Sequence, residues 1–590
     1  MDRSDTVLPI TGIHNAEGSA NTAQPDQGDS TNQQITNGEA RERALDSVST
    51  LQNSAVSVVD YTSRGRMVVF ADIDKWQGTI EKLADLRRHG LVIEAIVDPV
   101  GGKNAVEGLD IPVVCARVFQ VNGHLGAFDV AIQSGGGRCV PLTQVLGETD
   151  ATVDMIVDFL DSPCLDAQVL PPGYFYVSQS SAVSGPINAT DVDRLLETLP
   201  DMVGEFDKPR YFSYNAKICV HGRAGKTACT RCIDVCPTLA ITSLEESIEV
   251  DPYLCQGGGS CAAACPSGAI RYAYPTLDHT LTIVKTLLKT YRANQGANPR
   301  LVFYESAAAG VVEAVFDDPV CHNVLPLMME EIGAVGMEIS LASLAYGIEQ
   351  VILLYSDATP NHIIQTLHQQ VELANVFLHA MGYEGLAVAL CASRQFGGVI
   401  NSDVPSVNTT GRDPANFMAF DDKRSMIYRA LEHLNQIAPD PQQVLRLPEQ
   451  APFGRVHVDK NACTLCFACA SVCPVQALQT GGEQPRLNFV EDNCVQCGLC
   501  EQSCPERAIS LERRFVFSST RRKQASVLNE EEPFACIRCG KPFTTRRMID
   551  HMTEKLAGHW MFKDQGALAR LKMCENCRVE DMYVAHQQTH

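Results

Sequence analysis

Long apolar runs are missing from this 590-residue chain. None approaches the roughly 18 consecutive apolar residues of a membrane-spanning helix, so no membrane span is expected. The N-terminus has no basic region followed by an apolar stretch, and no twin-arginine pair precedes one, so no secretory signal is expected either. Positive charge is also scarce: 48 Lys and Arg stand against 70 Asp and Glu, a net charge of −22. That balance argues against nucleic acid or an anionic membrane as the main partner, and suits either plain solubility or the basic patch of a redox enzyme. The G-x-G-x-x-G order is absent: Ser134-Gly135-Gly136-Gly137 lacks it. Gly225-Lys226-Thr227 ends like a phosphate loop, but Val220 stands where that motif needs glycine. No flavin, nicotinamide or pterin fingerprint and no nucleophile–base pair is visible, so bond-making chemistry would belong to a partner carrying its own cofactor.

What the chain has in excess is cysteine, 24 in all. Most fall in metal-ligand spacing rather than in a disulfide framework, which points to a reducing, cytoplasmic setting. Cys463-x2-Cys466-x2-Cys469-x3-Cys473-Pro474 is followed by Cys494-x2-Cys497-x2-Cys500-x3-Cys504-Pro505. In such a doubled run, three close thiolates grip one cubane and the fourth crosses to the other. The spacing thus assigns Cys463, Cys466, Cys469 and Cys504 to one [4Fe-4S] cluster, and Cys494, Cys497, Cys500 and Cys473 to a second. Two zinc sites are the competing reading, since C-x2-C alone is common. The segment resembles the 2[4Fe-4S] ferredoxin family over its whole length.

An imperfect copy of the same unit spans Lys208 to Tyr274. Cys229-x2-Cys232-x3-Cys236-Pro237 is in register, with Lys226 where the first cysteine belongs and Cys219 displaced upstream. Cys219, Cys229, Cys232 and Cys265 can form a third [4Fe-4S] site if the intervening loop lets Cys219 reach back. In Cys255-x5-Cys261-x3-Cys265-Pro266, Gly258 replaces the second cysteine. Cys255, Cys261 and Cys236 are then three thiolates, enough for a [3Fe-4S] cluster or for a cubane with one open iron, unless the site is empty. Near the C-terminus Cys536-x2-Cys539 and Cys574-x2-Cys577 make a four-thiolate signature for zinc, with rubredoxin-like iron as the alternative. His551 and His559 between them read as surface or outer residues. Cys115, Cys139 and Cys164 have no ligand spacing and are expected to be buried small residues.

The expected architecture is multidomain, α/β plus α+β: a disordered tail (1–60), an α/β domain (61–200), the degenerate dicluster unit (208–275), an α/β domain with a parallel sheet (276–440), the intact ferredoxin unit (454–514) and a four-cysteine zinc-binding module (530–590). Residues 151–160 and 324–332 read as helices, 401–453 as a polar connection with a helix over 415–437, and the Arg513, Arg514, Arg521, Arg522 and Lys523 group as a solvated linker or docking patch. Pro171-Pro172-Gly173-Tyr174-Phe175, Lys208-Pro209-Arg210-Tyr211-Phe212 and Cys539-Gly540-Lys541-Pro542-Phe543, beside the cysteine runs, give the whole chain a resemblance to the long 4Fe-4S proteins associated with bacterial formate dehydrogenases. That resemblance implies an electron-transfer subunit or carrier serving such an oxidoreductase. An assembly, maturation or redox-sensing factor is the alternative, and an enzyme with substrate at the open iron a third.

Overall fold

Apolar β-branched runs with no polar residue between must be covered on both faces, and here they build two parallel sheets. The computed structural model describes residues 27–51, 55–101, 105–133, 137–148, 150–177, 192–316, 318, 321–401, 413–482, 484–562 and 565–588. Its first sheet has five parallel strands in the spatial order Val113–Cys115, Val92–Asp98, Arg66–Phe70, Met155–Asp158, Tyr174–Tyr176. Helix Ile73–Asp85 covers one face because Ile73, Ile80 and Leu83 fall on one stripe; Asp72 caps it by accepting from the Asp74 N–H. An antiparallel meander of Arg117–His124, Ala127–Gln133 and Cys139–Pro141 covers the other, packing Phe128 and Ile132 on Val68, Phe70 and Ile156. Gly123 is required in that meander: at φ 108° a Cβ would lie 2.1 Å from the Ala127 carbonyl oxygen.

The second sheet has four parallel strands in the order Val324–Met328, Arg300–Tyr304, Gln350–Tyr355, Val388–Ala392. Helices Leu277–Ala293, Met337–Ala345, Asn361–Ala380 and Lys423–Gln436 share its main core, which continues through Phe453, Phe515 and Phe517 to the flank of the second cysteine-rich unit.

Four expectations fail for identifiable reasons. Residues 151–160 and 324–332 contain strands, not helices, because a short apolar run reads the same in either state and the parallel partners decide. The tail expected to be disordered contains a 22-residue helix, Gln27–Val48, whose Ala40 and Ala44 bury against Leu277–Ala293; two alanines allow close approach but give almost no periodic signal. Residues 1–26 of that tail lie outside those described. The helix expected over 415–437 is there as Lys423–Gln436, but the segment that carries it is more than a polar connection: Met426, Ala430, Leu431 and Leu434 are fully buried, although residues 402–412 lie outside those described. Ser134–Gly136 of the glycine run also lie outside them. Finally, Cys115 and Cys139 are exposed and Cys164 is half-buried, because they sit at strand ends or in a loop rather than in a core.

The two cysteine-rich units share one plan. In the first, Phe212–Tyr214 pairs with Ile270–Tyr272 and Ile241–Leu244 with Ser247–Val250; in the second, Gly454–Val458 pairs with Ile509–Val516 and Leu478–Gly481 with Gln484–Phe489, all antiparallel. Beyond them lies a hairpin, Pro533–Ala535 with Pro542–Thr545, followed by helices Arg546–Leu556, Gln565–Arg570 and Glu575–Gln588.

Candidate metal centres

The repeat is clearest in the backbone. Three residues after each Cys of the four Cys-Pro pairs, Leu239, Gly268, Gln476 and Arg507 all take positive φ, from 50° to 71°. Three are not glycine, so each holds a conformation costing on the order of 1 kcal/mol or more. The turn aims the next amide at sulfur: the Ala477 N–H donates to Cys473 Sγ and the Ala508 N–H to Cys504 Sγ, both at 3.3 Å. Such bonds stabilise negative charge on a thiolate and tune whatever it ligates. The ligand loops repeat as well, with positive φ at Gly257 and Gly259, at Leu465 and Phe467, and at Gln496 and Gly498.

Cys463, Cys466, Cys469 and Cys504 line one pocket together with Leu465, Leu487 and Ile509. The fourth thiol comes from the other half-unit, as the crossed pattern demands. Cys494, Cys497, Cys500 and Cys473 form the neighbouring group: burial, then repulsion by Cys494 and Cys473, pushes the Cys497 thiol up to about 12. Cys494 Sγ also accepts from Gln496 Nε2 at 3.2 Å. Thiols held this far up keep their protons until a cationic iron group displaces them.

In the first unit Cys219 does reach back. Cys219, Cys229, Cys232 and Cys265 line one pocket with Tyr214, Ile248 and Ile270. The chain between Cys219 and Cys229 forms a tight hairpin, Gly222–Arg223 with Lys226–Thr227. His221, which no motif or spacing singles out, is buried beside it; its Nδ1 pairs with the Cys229 carbonyl at 2.8 Å and its Nε2 with Ser243 Oγ at 2.7 Å. Cys255, Cys261 and Cys236 make the last group: burial pushes the Cys261 thiol well up, and Cys255 and Cys236 add charge repulsion.

The glycines of the Cys255–Cys261 loop have a steric cause. A Cβ at Gly257 would lie 2.9 Å from the Tyr211 ring, and one at Gly259 would lie 2.5 Å from the Ala334 nitrogen. At Gly258, where the second cysteine belongs, a Cβ would meet Ile363 Cδ1 at 3.1 Å and Pro237 Cγ at 3.6 Å. The loop is pressed against the second α/β core. Its other side meets the first, whose His124 stacks on Tyr253 at 4.2 Å; within the unit itself Lys208 Nζ donates to the Cys255 carbonyl at 2.7 Å and the Tyr253 carbonyl at 2.8 Å.

The basic group after the second unit is a buttress, not a linker. Arg514 pairs with Glu491 at 2.6 Å, and Arg522, only 2% exposed, pairs with Asp492 at 3.0 Å and with Glu432. Arg521 and Lys523 face solvent. Helix Lys423–Gln436 joins in through Tyr428 Oη, which donates to the Asp492 carbonyl at 2.8 Å.

Near the C-terminus the sulfur atoms of Cys536, Cys539, Cys574 and Cys577 all lie within 4.8 Å of one another, with Cys539 and Cys574 3.7 Å apart. Tetrahedral thiolates about 2.3 Å from one ion sit nearly 4 Å apart, so this set fits a single ion and is too tight for a cubane. His551 instead pairs with Glu506 at 3.1 Å, and exposed His559 packs near Trp560.

Comparison with known proteins agrees with this geometry. The 4Fe-4S dicluster domain family matches residues 462–508, and the 4Fe-4S binding domain family matches 248–271. The chain is similar to a ferredoxin from Pyrobaculum islandicum (34% identity, 11% of this chain and 59% of that one). It is also similar to the ferredoxin-type protein NapF from Escherichia coli K12 (43% identity, 8% and 30%). A third relative is the pyruvate synthase subunit PorD from Thermotoga maritima (39% identity, 11% and 65%). The chain thus spans less than two thirds of each of these relatives. On these matches and the repeated cysteine-bearing backbone, the chain carries two ferredoxin-type 4Fe-4S domains and, after them, a separate group of four cysteines able to hold a metal ion.

Proposed function

We propose that this protein relays single electrons to or from an oxidoreductase. The set Cys463, Cys466, Cys469, Cys504 and the set Cys494, Cys497, Cys500, Cys473 each hold a [4Fe-4S] cluster. Cys219, Cys229, Cys232 and Cys265 hold a third. Cys255, Cys261 and Cys236 hold a [3Fe-4S] cluster or a cubane with an open iron, and the C-terminal four cysteines hold zinc. Iron–sulfur groups, when bound, exchange single electrons without breaking substrate bonds.

The chain's own residues prepare the cages for this. Leu465, Leu487 and Ile509 give one cage an aliphatic flank, and the Ala477, Ala508 and Gln496 N–H groups face sulfur. Lys208 holds the Cys255 carbonyl and brings a cation close to the three-cysteine group. The observation that carries the reading is the crossed set of four thiols lining one pocket. A pyruvate synthase subunit among the relatives supports an oxidoreductase partner. Formate dehydrogenase is the specific partner that the whole-chain resemblance implies. An anaerobic pull-down tests this: the recovered partner should be a formate dehydrogenase that reduces or oxidises the bound protein. A partner with no redox activity would leave the assembly-factor reading standing instead.

A further inference from the structure

The hairpin between Cys219 and Cys229 has no counterpart in the other three half-units, and it does not close over its own site. It crosses to the second ferredoxin unit. Lys226 Nζ donates to the Gln502 carbonyl at the C-terminal end of helix Leu499–Gln502, the helix that carries Cys500. Beside it, Arg231 Nη2 donates to the Gln450 carbonyl at 2.8 Å. Arg424 spans the same seam: its guanidinium donates to the Pro266 carbonyl at 3.1 Å in the first unit and to the Cys494 carbonyl at 3.1 Å in the second.

The seam brings particular cysteines together. Pro266 directly follows Cys265, so Arg424 ties the Cys219/Cys229/Cys232/Cys265 group to the group that holds Cys494. Within the first unit, helix Arg231–Asp234, which carries Cys232, packs on helix Ser260–Ala264, which carries Cys261; within the second, helix Ala468–Ser471, with Cys469, packs on helix Leu499–Gln502, with Cys500. These three junctions place the groups in one unbranched order: Cys255/Cys261/Cys236, then Cys219/Cys229/Cys232/Cys265, then Cys494/Cys497/Cys500/Cys473, then Cys463/Cys466/Cys469/Cys504. The loop of the first group touches both α/β domains, through His124 on Tyr253 and Ile363 at Gly258, whereas Cys466 of the last is exposed.

We propose that the Gly222–Thr227 hairpin is an interdomain clamp that docks the Cys219 site against the Cys494 site, joining both ferredoxin units into one row. Lys226 and Arg231 act as positioning residues. The displaced Cys219 is the consequence: the chain that would have carried a cysteine at position 226 is used for docking, and Lys226 replaces it with a cation suited to a helix C-terminus. This rests on the relay reading, and the test separates the two.

The test uses the full-length holoprotein, isolated anaerobically, as wild type, K226E/R231E and K226R. Iron analysis is made on every sample; hydrogen exchange is followed over 222–227, and EPR is recorded in the fully reduced state. Wild type and K226R should protect the hairpin amides and show spin–spin broadening that links centres of the two units. K226E/R231E should keep its iron, lose hairpin protection at least tenfold, and lose that broadening while retaining the interaction inside the second unit. If iron is present but the wild-type spectrum is a sum of two independent units, or the double variant keeps protection and broadening, the clamp is wrong and the relay reading survives. If the wild type carries no iron, both fail.

Discussion

Replacing Arg522 with alanine should unfasten the second ferredoxin unit from the helix that supports it. The guanidinium is 2% exposed. It pairs with Asp492 and Glu432, donates to the Phe517 carbonyl at 3.0 Å, and lies 4.5 Å from the centre of the Tyr428 ring and 4.9 Å from that of Phe515. Removing one partner of a buried ion pair costs about 3–5 kcal/mol, because the remaining carboxylates stay in place without their cation. The cation–π contacts add about 1 kcal/mol. A loss of about 5 kcal/mol should lower the melting temperature by roughly 10–20 °C for a cooperative unit of about 200 residues. R522K keeps the charge but not the planar fork, and should lose about half as much. R521A removes an exposed neighbour and should stay within about 0.5 kcal/mol. Calorimetry on the anaerobic holoprotein reads all three. Hydrogen exchange over 491–494 should accelerate in R522A, since Asp492 leads directly to Cys494. Equal melting of R522A and R521A, with unchanged exchange, would refute the buttress.

Further outcomes follow from other parts of the fold. G258C puts a thiol where the motif expects one; its Cβ presses on the flexible tip of Ile363, at a cost of about 1–2 kcal/mol. Mild ferricyanide oxidation should produce a three-iron EPR signal in the wild type and less of it in G258C; equal signals would show that the new sulfur does not reach the site. Burial, then repulsion from Glu305 and Glu330, raises the Glu331 carboxyl to about 7. A carboxyl raised in the folded state costs stability as pH climbs from about 4.5 to 7, about 3 kcal/mol once fully ionised. E331Q should therefore melt higher than wild type at pH 8 and equal to it near pH 4.5, and a pH-independent difference would count against this. C574S should release one zinc per chain without altering the visible iron–sulfur absorbance; loss of colour would show that the four-cysteine site holds iron.

The cysteine-rich units were legible in the sequence because ligand spacing is local: Cys463 to Cys504 fixes both the chemistry and the crossed connection. Strand runs such as Val92–Val97 and Gln350–Leu354 were legible, and with the helices between them the parallel sheet of the second α/β domain; that the first sheet is also parallel was not. What escaped depends on partners distant in sequence. Met155–Asp158 is a strand because Arg66–Phe70 and Tyr174–Tyr176 flank it. Arg522 resembles solvated Arg521 in composition and differs only in what surrounds it. Gly258 reads as a lost ligand; the structure adds that Ile363 packs against that position. His221 carried no signal at all, since a single histidine in a glycine-containing loop cannot show that both its nitrogens will be buried and bonded.

Iron in the cages between Cys463 and Cys504 is what the electron relay requires before anything else. Protein isolated without oxygen should be brown, carry at least eight irons per chain by the pattern of two cubanes, and give the EPR of interacting reduced [4Fe-4S] centres after dithionite. Colourless protein with zinc in those positions and no reducible centre would contradict it.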